Sequence, residues 1–308
     1  MTLSISSVIP TKNRKQDLLA AVISILEQTR LPDELIVIDQ SNSNEAQPAV
    51  SDLVAARAPA MRLVYVYDPS ITGLIDAKRA AVAQAKSDIV CFHEDDVVLE
   101  PAYIEETEKA FIDNPSMLGS SGIVTNVPML SENYRRFFHL FHRGIFYDKR
   151  IDVHGGAAIK NAPLIPSRYL SGGLSAYRSS VFDAIPYDLE NHLFMLEDID
   201  FSTRAADHFG NEHFYINPNA RLAHNMSPAN RAVLEQKYAR KLREFIIFYK
   251  KHAATPGAGL NLLWLLTGLL LETVLQSASA RKISPLRGYF KGALAGYQWR
   301  VRKEKSCR

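Results

Sequence analysis

Cysteine is close to absent from this chain. Cys91 and Cys307 are the only two in 308 residues, one inside an apolar run and one beside the C-terminus. No disulfide framework is expected from that pair, and a reducing, cytosolic setting fits better. An excess of charge of one sign is also missing: 36 Lys and Arg against 33 Asp and Glu leave +3, too little to imply a nucleic-acid partner. Met1 to Ile5 lacks the basic stretch and cleavage site of a secretory signal, so the bulk of the chain is expected in the cytoplasm. Glycine is missing from "PTKNRKQ", just after the first apolar run, where a phosphate-cradling loop would need it. Asp is missing from Arg231 to Arg308, where basic residues outnumber Glu235, Glu244, Glu272 and Glu304. That local imbalance points to an anionic neighbour such as a phospholipid surface.

The first third alternates apolar runs with amphipathic stretches. Leu3–Ile9, Leu35–Ile38, Leu63–Tyr67 and Asp88–Phe92 read as strands, with helical patterns between them: one over Leu18–Leu26 capped by Asn13, one near Ala46–Ala58 and one over Gly73–Ala85. This βαβα order predicts an α/β domain with a mostly parallel sheet and helices on both faces. Ligands of such sheets bind beyond the carboxyl ends of the strands. A further helix with Pro101 in its first turn follows, and then an irregular, aromatic-rich insert over 126–167. A strand and turn over "YLSGGLSAYRSSVF", a helix over "LEDIDFSTRAADHFG" and short strands at 213–216 and 220–223 complete this part. A long amphipathic helix is expected over 230–252. The apolar stretch Gly259–Ala278 is near bilayer length, but it carries Asn261, Glu272 and Gln276 between basic flanks. With the basic helix near Pro285–Trp299 it reads as a membrane-surface or re-entrant element, a buried core helix being the alternative.

"CFHEDDVVLE" poses the sharpest chemical question. At ~4 Å and an effective dielectric near 20, each like-charge contact in Glu94-Asp95-Asp96 costs about 4 kcal/mol. The cluster therefore needs open water, a proton or a cation, and the apolar residues on both sides limit access to water. In "LEDIDFSTR" the acids Glu197 and Asp198 can simply answer a helix dipole, or one of them can be a general base kept ionised by it. His224, closing "ARLAH", can be structural or a metal ligand. Asp39, closing "IVID", can form a turn or accept a hydrogen bond from a nucleotide. Lys78 and Arg79 can form a solvated face or reach phosphates.

Taken in order, "SVIPTKNR", "PDELIVIDQSNSN", "ITGLIDAKRAA", "IVCFHEDDVVLEP", "SGGLSAYRSSVF", "LEDIDFSTRAADHFG" and "ARLAHN" resemble the family 2 glycosyltransferases. The resemblance implies the GT-A fold, a Rossmann-like sheet flanked by helices, and a catalytic domain over 1–228 whose insert at 126–167 lies toward the acceptor. A helical, membrane-associating extension over 229–308 would follow. It also implies roles. Pro10, Thr11 and Arg14 would line the nucleobase pocket, Asp39 would face a uracil or thymine edge, and Lys78 would lie near the diphosphate. Asp95 would hold the ribose, and Asp96 would bind Mg or Mn with His224 as a further ligand. Asp198 would be the base, with Glu197 beside it. Three positions depart from the family pattern: Gln40, Lys78 in place of Arg, and Glu94, whose role stays open.

The activity so implied is inverting transfer of a sugar from a UDP- or dTDP-sugar to a glycan or lipid-linked acceptor in bacterial envelope or exopolysaccharide synthesis. The basic and apolar tail would set it on the inner face of the cell membrane, with no nucleic acid involved. A sugar-phosphate nucleotidyltransferase and an inactive nucleotide-sugar-binding scaffold are the alternatives.

Overall fold

A computed structural model describes residues 2–155, 161–226, 233–254 and 256–302. Cys307 and the start of the expected long helix at 230 lie outside them. In chain order the elements are β1 (Ile5–Thr11), α1 (Lys15–Leu26), β2 (Glu34–Asp39), α2 (Gln47–Arg57), β3 (Arg62–Tyr67), α3 (Leu74–Val82), β4 (Ile89–Phe92) and β5 (Val97–Leu99). Next come α4 (Tyr103–Asp113), β6 (Gly119–Val124), α5 (Glu132–Phe141), β7 (Ile165–Pro166), β8 (Ser175–Arg178), α6 (Ser180–Ala184), α7 (Glu197–Phe209) and β9 (Phe214–His224). Three helices finish the chain: α8 (Leu234–His252), α9 (Ala258–Ala280) and α10 (Ser284–Gln298).

The described chain divides into two compact units. The first holds residues 1–129, 153–187 and 201–229, and with them the whole nine-stranded sheet, ordered β3-β2-β1-β4-β8-β6-β9-β5 with β7 on β9. The run β3-β2-β1-β4 is parallel, as the βαβα alternation predicts. Beyond it the sheet becomes mixed, because β8 runs antiparallel to β4 and β6 while β6 and β9 are parallel. Strands β1, β2 and β4 are buried along their length, as expected of a sheet covered on both faces. Their alternate side chains feed two cores. Ile5, Ile9, Leu35 and Val37 pack with Leu18, Ile25, Val50 and Phe111 of α1, α2 and α4. Val8, Ile36, Ile38 and Phe92 pack with Ala77 and Ala81 of α3, Val181 of α6, and Phe201 and Ala205 of α7.

Several local expectations are corrected. Asn13 does not cap α1: its φ is +56°, its side chain accepts from Asn42 N at 3.0 Å, and the residue before the helix is Arg14, whose side chain makes no cap bond. Pro101 precedes α4 rather than sitting in its first turn. The two short strands expected near 213–216 and 220–223 are one continuous strand, β9, with Pro218 taken up by a register irregularity against β6 between Ser121 and Ile123. The insert at 126–167 holds the helix α5, with Ser131 accepting from Tyr134 N at its N-terminus, which its irregular sequence pattern concealed.

The second unit holds residues 130–152, 188–200 and 230–308, and is helical. Helix α10 lies against α8 through Gly288, Gly292 and Gly296. A Cβ at Gly292 would stand 2.2 Å from the Ala239 carbonyl oxygen, and one at Gly288 would stand 2.3 Å from that of Glu235. Spaced four apart, these glycines let the two backbones approach closely. Helix α9 buries Leu265, Leu269 and Thr273, and exposes Leu260, Leu263, Trp264 and Leu275. Glu272 in that apolar stretch pairs with Lys241 of α8 at 3.0 Å.

Candidate active site

The sheet places several of the singled-out residues at one edge. Strands β2, β1 and β4 are neighbours, so Asp39, Thr11 and the His93–Asp96 loop all follow their carboxyl ends. Pro10 and Thr11 pair with Ile38 and Asp39 in the ladder. His224 comes from far along the chain. Antiparallel pairing of β5 with β9 sets it opposite Val97, next to Asp96, and Asn225 N donates to the Asp96 carbonyl at 2.8 Å.

Two clusters result. In the first, Asp95 is buried and accepts from Thr11 Oγ1 at 2.8 Å and Arg14 Nη1 at 2.9 Å, the same guanidinium lying 3.6 Å from Asp96. Burial pushes the Asp95 carboxyl up from its ordinary value, against the pull of Thr11 and Arg14. Burial works against the Arg14 charge too, but Asp95 and Asp96 more than offset it.

In the second, Glu94, Asp96 and His224 bring three potential ligand atoms within 4.8 Å of one another. His224 Nε2 lies 3.1 Å from both Asp96 Oδ1 and Glu94 Oε2. Hydrogen bonds to Asp96 and then Glu94 push its pKa up to about 10, so at neutral pH an imidazolium holds the charge balance of the cluster. His93 is the opposite case. Burial drives its pKa down to about 3, and it stays neutral. Two neighbours shape this cluster. Asn126 binds the His224 backbone both ways, accepting from its N–H at 2.9 Å and donating to its carbonyl at 3.2 Å. Gly173 makes room for Glu94, because a Cβ there would fall 2.4 Å from Glu94 Cγ.

The remaining residues of the first unit sit deeper than their proposed contacts imply. Asp39 is fully buried and accepts from Tyr65 Oη at 2.6 Å and Ser41 N at 2.9 Å. Burial first, and Asp39 second, push the Tyr65 phenol up. Lys78 is buried under the same edge, with Nζ 3.2 Å from the Gly172 carbonyl and 5.4 Å from the Phe92 ring centroid. Arg79 is exposed and pairs with Asp76 at 3.5 Å.

Glu197 and Asp198 belong to the second unit and open α7. Asp198 Oδ2 accepts from Arg150 Nη1 at 3.0 Å, and the other arms of Arg150 hold Asp148 at 2.8–3.1 Å. Burial opposes the Arg150 charge, and the two carboxylates raise its pKa regardless. Glu244 of α8 gathers the amides of Phe194, Met195 and Leu196 just ahead of α7. Burial pushes its carboxyl up, and the three amides pull it back.

Asn126, Tyr65, Arg150 and Glu244 were not singled out by sequence; Glu94 was, with its role open, and the structure sets it beside Asp96 and His224. Arg150 and Asn126 lie in the irregular insert and carry no periodic signal. Tyr65 could have been noticed as a polar tip on a strand whose neighbour ends in Asp39.

Residues 6–185, more than half of the chain, match the sequence family described as glycosyl transferase family 2. Among solved structures, the mannosyltransferase PcManGT from Pyrobaculum calidifontis, in complex with GDP-Man and Mn2+, aligns at TM-score 0.59 with 12% identity, over 97% of this chain and 88% of that one. The S. aureus TarS fragment 1–349 aligns at TM-score 0.53 with 15% identity, over 96% and 91%. At such identities these likenesses establish the fold, GT-A. No curated protein sequence matches the chain.

Proposed function

The chain belongs to glycosyl transferase family 2, and from that premise we propose that it is an inverting, cation-dependent glycosyltransferase acting on a nucleoside-diphosphate sugar. The observation that carries this reading is the trio Glu94, Asp96 and His224 at the strand ends, beside Asp95, Thr11 and Arg14. Two carboxylates and an imidazole suit Mn or Mg once the cation displaces the proton that His224 holds between Glu94 and Asp96, and the trio is already compact enough to share one ion. A bound cation would supply neutralising charge to the donor diphosphate.

The chain's own residues do the rest. Thr11 and Arg14 fix Asp95, which takes the ribose hydroxyls. Asp39, stiffened by Tyr65 and Ser41, sets the floor of the base pocket. Lys78 adds positive charge toward the diphosphate. Asp198 takes the proton of the acceptor hydroxyl as its oxygen bonds to the anomeric carbon and the bond from that carbon to the diphosphate oxygen breaks. Attack from the opposite face inverts the configuration.

The acceptor in this reading is a glycan or lipid-linked sugar of an envelope or exopolysaccharide pathway, met at the cytoplasmic face of the membrane. In support, α9 is long and apolar enough to cross a bilayer. Its partners argue for lying in the interface: the Phe141 ring lies 5.1 Å from that of Trp264, tilted by 33°, Trp264 Nε1 donates to the Leu140 carbonyl, and Glu272 is paired to α8. One face is thus covered by protein and the other left apolar. The catalytic domain is taken as 1–228 and the membrane-associating extension as 229–308.

The test combines a thermal-shift screen with turnover. One donor among UDP-, dTDP- and GDP-sugars, the last included because PcManGT was solved with GDP-Man, should stabilise the protein only with Mn or Mg. Nucleoside diphosphate release should vanish with chelator. Asp198→Asn should lower turnover by a factor of about 100 or more and leave donor binding intact. Normal turnover by that variant would remove the base assignment, and full turnover in chelator would remove the cation.

A further inference from the structure

Helix α8 carries Glu244, Lys251 and His252 on one face, seven and eight residues apart and so two turns along the helix. All three side chains are at least nine-tenths buried, and all three reach the segment that opens α7. Glu244 Oε2 accepts from Phe194 N at 3.0 Å, Met195 N at 2.7 Å and Leu196 N at 3.1 Å. These three amides lie in the stretch that leads directly into α7, and one carboxylate meets them all. Lys251 pairs with Asp200 Oδ1 at 2.7 Å and with Asp188, and His252 Nε2 lies 2.9 Å from the same Asp200 oxygen.

Asp200 stands two residues after Asp198, about 200° around the helix, so the two carboxylates leave α7 on opposite sides. Lys251 and His252 hold one side, Glu244 holds the end, and Arg150 meets Asp198 on the other side. A general base must be held within a fraction of an ångström of its line to the hydroxyl, and misplacement by about 1 Å can cost a hundredfold in rate.

We propose that Glu244, assisted by Lys251 and His252, is a positioning residue for Asp198, making α8 the strut that sets where the base stands. This rests on the reading of Asp198 as the base. It assigns the third helix from the C-terminus a part in the chemical step, beyond packing or membrane contact.

The test is a double-mutant cycle on the full chain, measuring nucleoside diphosphate release from the sugar nucleotide it accepts, with affinity for that nucleoside diphosphate plus Mn measured separately. Glu244→Ala should lower kcat about ten- to hundredfold and leave nucleotide affinity within about twofold of the parent. Glu244→Gln keeps an acceptor oxygen for the amides, so it should restore part of the rate; it also stands in for the Ala variant should that one not fold. On the residual rate of Asp198→Asn, either substitution should cost nothing more, since there is no base left to position. Equal losses in both backgrounds, or a fall in nucleotide affinity, would mark a general loosening and overturn the proposal. Parental kcat in Glu244→Ala beside an inactive Asp198→Asn would overturn the strut alone. An active Asp198→Asn would overturn the base reading and the strut with it.

Discussion

His142 shows how burial sets chemistry one residue at a time. Its ring lies flat on Phe138 with centroids 3.6 Å apart and bonds the Phe138 carbonyl through Nδ1 at 3.0 Å. Burial, helped by the charge of Lys241, lowers its pKa from 6.5 to about 4. The unfolded chain therefore takes up a proton on this group before the folded one does. Its contribution is complete above pH 6.5 and is lost as pH falls toward 4. At pH 5 the cost is about 2 kcal/mol. Denaturant unfolding at pH 7 and pH 5 should show a loss on acidification that is smaller by about 2 kcal/mol in His142→Phe than in the parent protein. An equal loss in the two would contradict it. In the first unit, Asp95 and Asp96 were legible as residues and the resemblance set His224 with Asp96, but the ion pairs that balance them were not legible. The compensating imidazolium, His224, comes from the other end of the sheet domain, and its role depends on the β5–β9 register.

Elements form where periodicity is strong, and they were missed where a neighbour supplies the stability. Strands β1 to β4 and helices α1 to α3 lie within a few residues of where the apolar runs put them, because each buries its own pattern. Strand β5 is three residues long and exists by pairing with β9, and β6 is closed by β8 and β9. Neither has a signal of its own. The stripe Gly288, Gly292, Gly296 was a signal left unread: small residues four apart on a helix that must approach another backbone. Gly292→Ala forces a methyl into the Ala239 carbonyl and should destabilise the second unit by about 1–3 kcal/mol. Leu294→Ala, on the exposed side of the same helix, should stay within about 0.5 kcal/mol. Equal thermal shifts for the two would mean that α10 does not depend on close approach to α8.

For the whole molecule, the asymmetry of charge and apolarity decides how it meets its surroundings. The net +3 hides a C-terminal region in which Arg281, Lys282, Arg287 and Lys291 accompany exposed Leu263, Leu275, Phe290 and Leu294. Each basic side chain near an anionic bilayer contributes about 1 kcal/mol, and the attraction weakens with salt. The protein should therefore co-sediment with vesicles containing phosphatidylglycerol and much less with phosphatidylcholine alone. Leu263→Ser with Leu275→Ser should reduce that binding without altering nucleoside diphosphate affinity. Equal binding to both vesicle types would remove the electrostatic part, and undiminished binding by the double variant would remove α9.

The sequence by itself determined the α/β class, the parallel run of strands and the order of the acidic motifs, because these depend on residues near one another in the chain and on the period of burial. Only the tertiary structure decided which side chains face each other. It joined Glu94 to Asp96 and His224, set Tyr65 on Asp39, and brought Arg150 to Asp198 and Glu244 to the start of α7. Those contacts depend on strand register and helix packing between distant segments, and a pairwise distance of a few ångströms leaves no period in a sequence for a reader to find.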